Sequence, residues 1–257
     1  MRILVLLKMV PDVVEELEVA PDGRSLDIEF LRLMVNERDD HALEEALLLK
    51  ERYGGSVTVL ALDAPEMDDA LFTALAKGAD RAVKVSDGGA GLNTRATASL
   101  FAQALSAVPD LWPADLVLTG CQAIDDLDGL LAPLLAHELN LPYLGLVTRV
   151  EVSGGEATLV KEYAGGVRGE FGVLLPAVLG VQAAERPPRY VPVARVRAAM
   201  KSQKIEAVPS AGEVEAVPVE VLHLAKPEAT EHAEMLEGTS EEVAGKVCEV
   251  LAERGLL

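Results

Sequence analysis

The 257-residue sequence has few cysteines, only Cys121 and Cys248. They are far apart, and neither belongs to a C-x-x-C motif or to a cluster of metal ligands. This pattern argues against a disulfide framework and against a structural zinc site. We therefore expect the protein to work in a reducing compartment.

Positive charge is also scarce, because 23 lysines and arginines stand against 42 aspartates and glutamates, a net charge of −19. Nucleic acids and anionic membranes attract clustered lysine and arginine. We therefore expect neither nucleic-acid binding nor direct membrane insertion. Most of the acidic charge is explained by solubility, and a smaller part by steering toward basic partners.

Long apolar runs are missing, since none reaches the roughly 18 residues needed to span a bilayer. The N-terminal stretch, residues 1–8, is too short for a secretory signal and is interpreted as a first strand of a cytoplasmic protein. The motifs G-x-S-x-G, G-x-x-x-x-G-K-[ST] and H-E-x-x-H are absent, and the four histidines are not spaced as a metal pair. We expect no metal site.

Strand-like and helix-like patterns alternate up to about residue 140. This alternation is typical of βαβ units with right-handed crossovers, and it predicts a doubly wound, mostly parallel α/β sheet. The predicted strands are Arg2–Leu7, Ser56–Leu62, Arg81–Val85 and Asp115–Thr119, and the predicted helices are Asp40–Tyr53, Pro65–Lys77, Thr94–Val108 and Leu130–Leu139.

Past Pro142 the pattern changes to runs separated by paired glycines. Leu146–Val152, Ala157–Tyr163 and Gly172–Val181 are predicted to add antiparallel strands to the sheet. We assign residues 1–182 to one α/β domain of nucleotide-binding type.

Residues 183–257 are interpreted as an extended C-terminal arm that wraps a partner subunit. Arg186–Pro192 is predicted to be extended, and a Pro-, Glu- and Ala-rich tract follows a basic run. A final helix is predicted to begin near Thr239 or Ser240 and to bury an apolar face made of Val243, Val247, Val250 and Leu251.

The turn from Gly120 to about Leu131 is the candidate functional centre. It follows a predicted parallel strand and precedes a helix whose first amides would suit an anion. Asp128 could instead cap that helix, and the sequence leaves both readings open. Asp125, Asp126 and Asp128 are better explained by turn formation than by a cation site, and Cys121 better as a buried side chain than as a reactive thiol.

The string from Gly120 to Asp126 resembles the adenine-nucleotide-binding signature of the electron transfer flavoprotein beta subunit. Further landmarks follow in the same order over about residues 1–205. They are Lys8, Val10, Pro11 and Asp12, then Asn36 before residues 42–46, residues 73–81, Glu162 before Gly165 and Gly166, residues 175–178, and residues 188–190.

The resemblance implies an adenine-nucleotide-hydrolase-like fold and an electron carrier subunit that is not itself an enzyme. It implies a heterodimer whose alpha subunit holds most of the FAD, with AMP bound by many beta subunits. Electrons would pass from dehydrogenases to a membrane quinone oxidoreductase. By matching position, the nucleotide contacts would fall on Leu6, Asn36, Leu62, Gly120, Gln122, Ala123, Ile124, Asp125 and Asp126.

The sequence departs from the family at the phosphate. Residues 129–133 replace the polar side chains that hold it in AMP-binding members, and Asp128 adds a carboxylate. Two like charges about 4–6 Å apart repel by on the order of 1–4 kcal/mol, which argues against the AMP that the resemblance implies. Family positions near the flavin ring correspond to Val13 and Arg38, although Arg38 is equally compatible with a solvated loop.

The resemblance also implies a partner-docking segment after Tyr190. Val193 stands where the family has an apolar anchor, followed by Arg195, Arg197, Lys201 and Lys204. Such a basic run can be no more than a solvated face, but in so acidic a chain it favours docking to an acidic groove. The alternative function is a stand-alone nucleotide-binding regulatory protein of the same fold, for which the arm would have little use.

Overall fold

The computed structural model describes residues 1–29, 31–86, 92–126, 128–210, 220–227, 233 and 235–257. Its strands are β1 (Arg2–Leu7), β2 (Met9–Pro11), β3 (Leu33–Val35), β4 (Ser56–Leu62), β5 (Arg81–Val85), β6 (Leu116–Gly120), β7 (Tyr143–Ser153), β8 (Glu156–Glu162), β9 (Arg168–Leu174), β10 (Ala177–Val181) and β11 (Ile205–Val208). Its helices are α1 (Glu37–Tyr53), α2 (Met67–Lys77), α3 (Thr94–Ala107), α4 (Leu131–Glu138), α5 (Val193–Ser202) and α6 (Ser240–Glu253).

The main sheet has nine strands in the order β11-β5-β4-β1-β6-β10-β7-β8-β9. The strands from β11 to β7 are parallel, whereas β8 and β9 continue the sheet antiparallel. The chain builds outward from β1 in both directions, first to β4 and later to β6. The predicted doubly wound α/β fold with an antiparallel addition is therefore confirmed.

Helices cover both faces of the parallel strands, which explains why those strands are continuously apolar. Ile3, Val5 and Leu7 on β1 pack in the core beneath α1 and α2. Leu4 and Leu6, on the opposite face, pack in the core beneath α3 and α4. The alternation of side chains along one strand thus supplies both cores.

One predicted strand is in fact two. The run Gly172–Val181 is split into β9 and β10 by Leu175 and Pro176, because proline has no N–H to continue a ladder. β9 pairs antiparallel with β8, whereas β10 lies parallel between β6 and β7. β10 thereby brings the residues after it close to the candidate turn.

Residues 193–208 form elements that sequence analysis did not predict. Val196 and Ala199 of α5 pack on the same core as α2. β11 extends the sheet beside β5, and Arg81 binds Glu206 through Nε and Nη2 at 2.8 and 2.6 Å. Val193 is thus the first residue of a helix seated on the α/β domain.

The predicted start of the final helix is confirmed, because Thr239 and Glu242 form a capping box at the start of α6. The expectation that this helix buries its apolar face is wrong for the chain by itself. Val247 and Val250 remain 42% and 43% exposed, and α6 has no buried residue. Among the described residues, none of the helices is long and apolar enough to cross a membrane.

Candidate functional site

The candidate site forms where β1, β6 and the first turn of α1 meet. Gly120, the last residue of β6, lies so close to α1 that a Cβ atom there would be 2.5 Å from Asp39 Oδ1 and 2.6 Å from Arg38 Cβ. Glycine is required at this position because no side-chain atom fits.

Asp39 joins the three elements from inside. Its Oδ1 accepts a hydrogen bond from Gly120 N at 2.8 Å, and its Oδ2 accepts one from Lys8 N at 2.9 Å. Burial raises the pKa of this carboxyl to about 7, although hydrogen bonds and Lys8 act in the opposite direction.

Asn36 makes a second connection between α1 and the turn. It is buried, and its Nδ2 donates to the carbonyl oxygen of Gln122 at 3.1 Å. Its backbone N–H donates to Lys8 O at 2.9 Å, which ties the residue to the end of β1 as well.

A cavity of about 540 Å³ opens beside this junction. Its lining is mostly apolar, and Arg38 is held on its wall by a hydrogen bond from Nη1 to Gln182 O at 2.6 Å. The lining residues are Val10, Pro11, Asp12, Val13, Val14, Met34, Asn36, Glu37, Arg38, Cys121, Gln122, Ala123, Ile124, Leu146 and Gln182.

Eleven residues were named from sequence as nucleotide contacts or flavin neighbours, and the cavity brings together six of them: Val13, Asn36, Arg38, Gln122, Ala123 and Ile124. The other five lie elsewhere. Leu6 is buried in the sheet core and Leu62 packs against that core. Gly120 lies behind the cavity wall, against Asp39 and Arg38, and Asp125 and Asp126 lie on the turn.

The turn satisfies its own amides with carboxylates. Asp126 accepts hydrogen bonds from Ala123 N at 3.1 Å and Gly129 N at 2.7 Å. Asp128 accepts one from Leu130 N at 3.0 Å, just before α4 begins. Asp128 thus bonds an amide that precedes α4 and is not the N-cap of that helix, a position held by Leu130 without a side-chain cap.

The ammonium group of Lys8, beside the turn, is already paired with a carboxylate, because its Nζ lies 2.6 Å from Asp125 Oδ1. A phosphate dianion would have to displace carboxylates from these donors and then lie beside them. The carboxylates of Asp125, Asp126 and Asp128 on the turn argue against a phosphate dianion at this place.

Comparison with known proteins identifies the family of the chain. A family model described as "Electron transfer flavoprotein domain" matches residues 31–225. The chain belongs to the electron transfer flavoprotein family.

Similar proteins of this family carry the name electron transfer flavoprotein subunit beta. The protein from Methylophilus methylotrophus is 32% identical over 265 residues, which cover 98% of this chain and 98% of the relative. The protein from Clostridium acetobutylicum is 36% identical over 200 residues, or 76% of this chain and 74% of the relative. The protein from Syntrophomonas wolfei is 32% identical over 250 residues, or 97% and 95%.

Membership of the electron transfer flavoprotein family supports an electron-transfer role and an association with flavin. The name of the relatives as beta subunits implies an alpha subunit as the partner. The match also accounts for the order of the landmarks along the sequence.

Part of the cavity wall was not named from the sequence. Val10, Pro11 and Asp12 lie at the β2–β3 ribbon and were available as family landmarks, so they could have been named as site residues. Met34, Leu146 and Gln182 carried no such signal. Met34 lies on a strand of only three residues, and Gln182 reaches the cavity because it directly follows β10.

Cys121 lines the cavity and is half-buried. Burial, the largest effect on it, raises the pKa of the Cys121 thiol.

The docking residues expected from the electron transfer flavoprotein family lie on α5 and just after it. Val193 is 60% exposed at the first position of the helix, and Arg197 and Lys201 follow one turn apart on one face. Arg195 and Lys204 are exposed as well. None of the ion pairs found among the described residues involves these four cations.

Proposed function

We propose that this chain is the beta subunit of a heterodimeric electron transfer flavoprotein and forms one side of an FAD site held mainly by an alpha subunit. The observation that carries this proposal is the exposed apolar rim of the cavity. Val13, Val14 and Ile124 are 55%, 92% and 62% exposed, and Leu146 is 48% exposed. Large side chains clustered in this way mark an interface with another molecule.

The size and chemistry of the cavity support a flavin ring. Its volume falls within the roughly 300–1,000 Å³ of small-molecule sites, and its walls are mostly apolar. FAD supplies the electron-transfer chemistry when it is bound. The chain's own part is to exclude water with the apolar side chains and to place Arg38, whose cation would stabilise negative charge gained on reduction.

We assign the turn from Gly120 to Leu131 a structural part in this site. Its amides are bonded to Asp126 and Asp128, so it can brace the cavity wall without a nucleotide phosphate. FAD is therefore the cofactor we expect in the heterodimer, without AMP.

The exposed start of α5 supports the docking of electron donors. Val193 offers an apolar anchor beside four cations, which suits an acidic groove on a dehydrogenase. A quinone oxidoreductase would then accept the electrons, and the cytoplasm is the proposed compartment.

Co-purification with the alpha subunit tests the proposal. We expect a yellow two-chain complex that releases FAD, and no AMP, when it is denatured and analysed by mass spectrometry. Val13→Asp should lower the FAD content, whereas Val167→Asp, at an exposed position outside the cavity, should leave it unchanged. A colourless single chain would contradict the proposed function, and bound AMP would contradict the role given to the turn.

A further inference from the structure

Asp39 is a buried ionisable group that the proposed function does not use. It lies in the first turn of α1. On one side of it are Asn36 and Arg38, which line the cavity, and on the other side is Gly120, which lies behind the cavity wall. Its two carboxylate oxygens each accept one backbone N–H, from Lys8 and from Gly120. The residue therefore connects the end of β1, the end of β6 and α1 at a single point.

We propose that Asp39 is a positioning residue whose carboxylate holds the ends of β1 and β6 against α1 and so sets the wall of the flavin cavity. This inference rests on the proposed function, because FAD retention is what reports the state of the wall. Asp39 touches no cofactor and takes no part in electron transfer itself.

The charge state of Asp39 decides how many hydrogen bonds it can accept. Both oxygens of an ionised carboxylate are acceptors, and they serve the backbone N–H groups of Lys8 and Gly120 as well as the side chain of Asn36. A protonated acid or an amide keeps one acceptor and turns a donor toward the other N–H. One strand end then loses its partner, and a hydrogen bond to a charged group is among the stronger ones in a protein.

The surroundings of Asp39 allow it to change charge near neutral pH. Burial raises its pKa to about 7. Lys8, directly after β1, faces it but is paired with Asp125, and Arg38 from α1 donates to Gln182 O. From the turn, the Cys121 thiol interacts with Asp39 and with Asp126, and burial raises the pKa of this thiol.

Release of FAD from the heterodimer at pH 5.5–8.5 tests the inference, with the fluorescence of free FAD as the signal. In the unmodified protein the release rate should rise on the order of tenfold as the pH falls through about 7, the loss expected for one such hydrogen bond. Asp39→Asn should release FAD at the fast rate throughout and lose the pH dependence. Asp69→Asn, in the first turn of α2, should keep the unmodified profile.

A second measurement does not depend on the variant folding. The amide proton chemical shifts of Lys8 and Gly120 in the unmodified heterodimer should titrate together with a midpoint near pH 7. Flat shifts for both amides, or an Asp39→Asn variant with the unmodified pH profile, would overturn the inference. A heterodimer without FAD at any pH would instead refute the proposed function, while the amide titration would still decide the role of Asp39.

Discussion

Gly120 allows β6 to lie against α1 because its side chain is a single hydrogen atom. A methyl group there would overlap Asp39 Oδ1 and Arg38 Cβ, so β6 and α1 would have to separate. We expect Gly120→Ala to lower the free energy of unfolding by about 1–3 kcal/mol, as overpacking does, measured by urea denaturation.

The matched control for Gly120→Ala is Gly245→Ala in α6. Gly245 has no neighbour within 4 Å of an added Cβ, and its backbone is helical. Because alanine favours a helix over glycine by about 0.5–1 kcal/mol, this variant should be neutral or slightly more stable. Equal destabilisation by both variants would contradict the close approach of Gly120 to α1.

Asp39 makes the stability of the chain depend on pH. The folded chain keeps its proton up to about pH 7, whereas the ordinary pKa is 3.8, so the native state binds more protons between these values. The neutral carboxyl contributes fully to the free energy of unfolding below its ordinary pKa of 3.8, and this contribution is lost as the pH rises through about 7. The free energy of unfolding should therefore fall by up to about 1.4 kcal/mol per pH unit in this window.

Asp39→Asn removes the titrating proton and with it this part of the slope. Urea denaturation at pH 4.5, 5.5, 6.5 and 7.5 gives the comparison, with Asp69→Asn as the control. Parallel pH profiles for the unmodified chain and Asp39→Asn would show that the carboxyl is ionised in both folded and unfolded states.

At the scale of residues, the sequence could predict part of the cavity lining but not the buried residue behind it. Asn36 and Gln122 were named from the resemblance, and the cavity contains both. Asp39 was not named, because an acidic residue between Arg38 and Asp40 in the first turn of an acidic helix is typical of a solvated face. Its burial arises from the approach of β6 and of the end of β1, which local sequence does not encode.

At the scale of elements, periodicity predicts the parallel strands well because they are buried on both sides. The bounds of β1, β4 and β5 agree with prediction, and β6 differs by one residue. The short elements β2, β3 and β11 were missed, since three or four residues carry too little alternation to be recognised. α5 was missed because its exposed cations obscure the two positions, Val196 and Ala199, that face the core.

Helix α6 is expected to contribute to assembly with the alpha subunit and not to the stability of the single chain. Its apolar stripe of Val243, Val247, Val250 and Leu251 is not buried in the chain by itself. We expect Val247→Asp together with Val250→Asp to leave the unfolding of the single chain unchanged within about 0.5 kcal/mol, as for exposed sites. The same pair should weaken heterodimer formation tenfold or more, measured by titration with the alpha subunit.

Glu249→Gln, an exposed change on the same helix, should leave the affinity for the alpha subunit unaltered. If the double variant formed the heterodimer with unmodified affinity, the stripe would have no part in the subunit interface.

For the whole molecule, the distribution of charge matters more than its sum. A net charge of −19 repels acidic partners at long range, yet the exposed cations of α5 form a local exception. Arg197→Glu together with Lys201→Glu should slow reduction by a dehydrogenase on the order of tenfold at low salt, and the effect should fade as salt screens the charges.

Stopped-flow reduction of the flavin measures this effect, and FAD content should stay constant. Val193→Ala should also slow reduction, but its effect should persist at high salt because an apolar contact is lost. A charge reversal whose effect is independent of salt, or a Val193→Ala variant with unmodified kinetics, would argue against docking at α5.

The tight fit between Gly120 and α1 also bears on recombination between relatives. The signature turn and the first turn of α1 are 81 residues apart in sequence, yet the Asp39 carboxylate occupies the space that a Cβ at position 120 would need. This turn, grafted into another family member, would keep its bonding only if the residue corresponding to Asp39 there supplied the same acceptors. The motif therefore cannot be transferred alone, and chimaeras that exchange it without the start of α1 should assemble poorly.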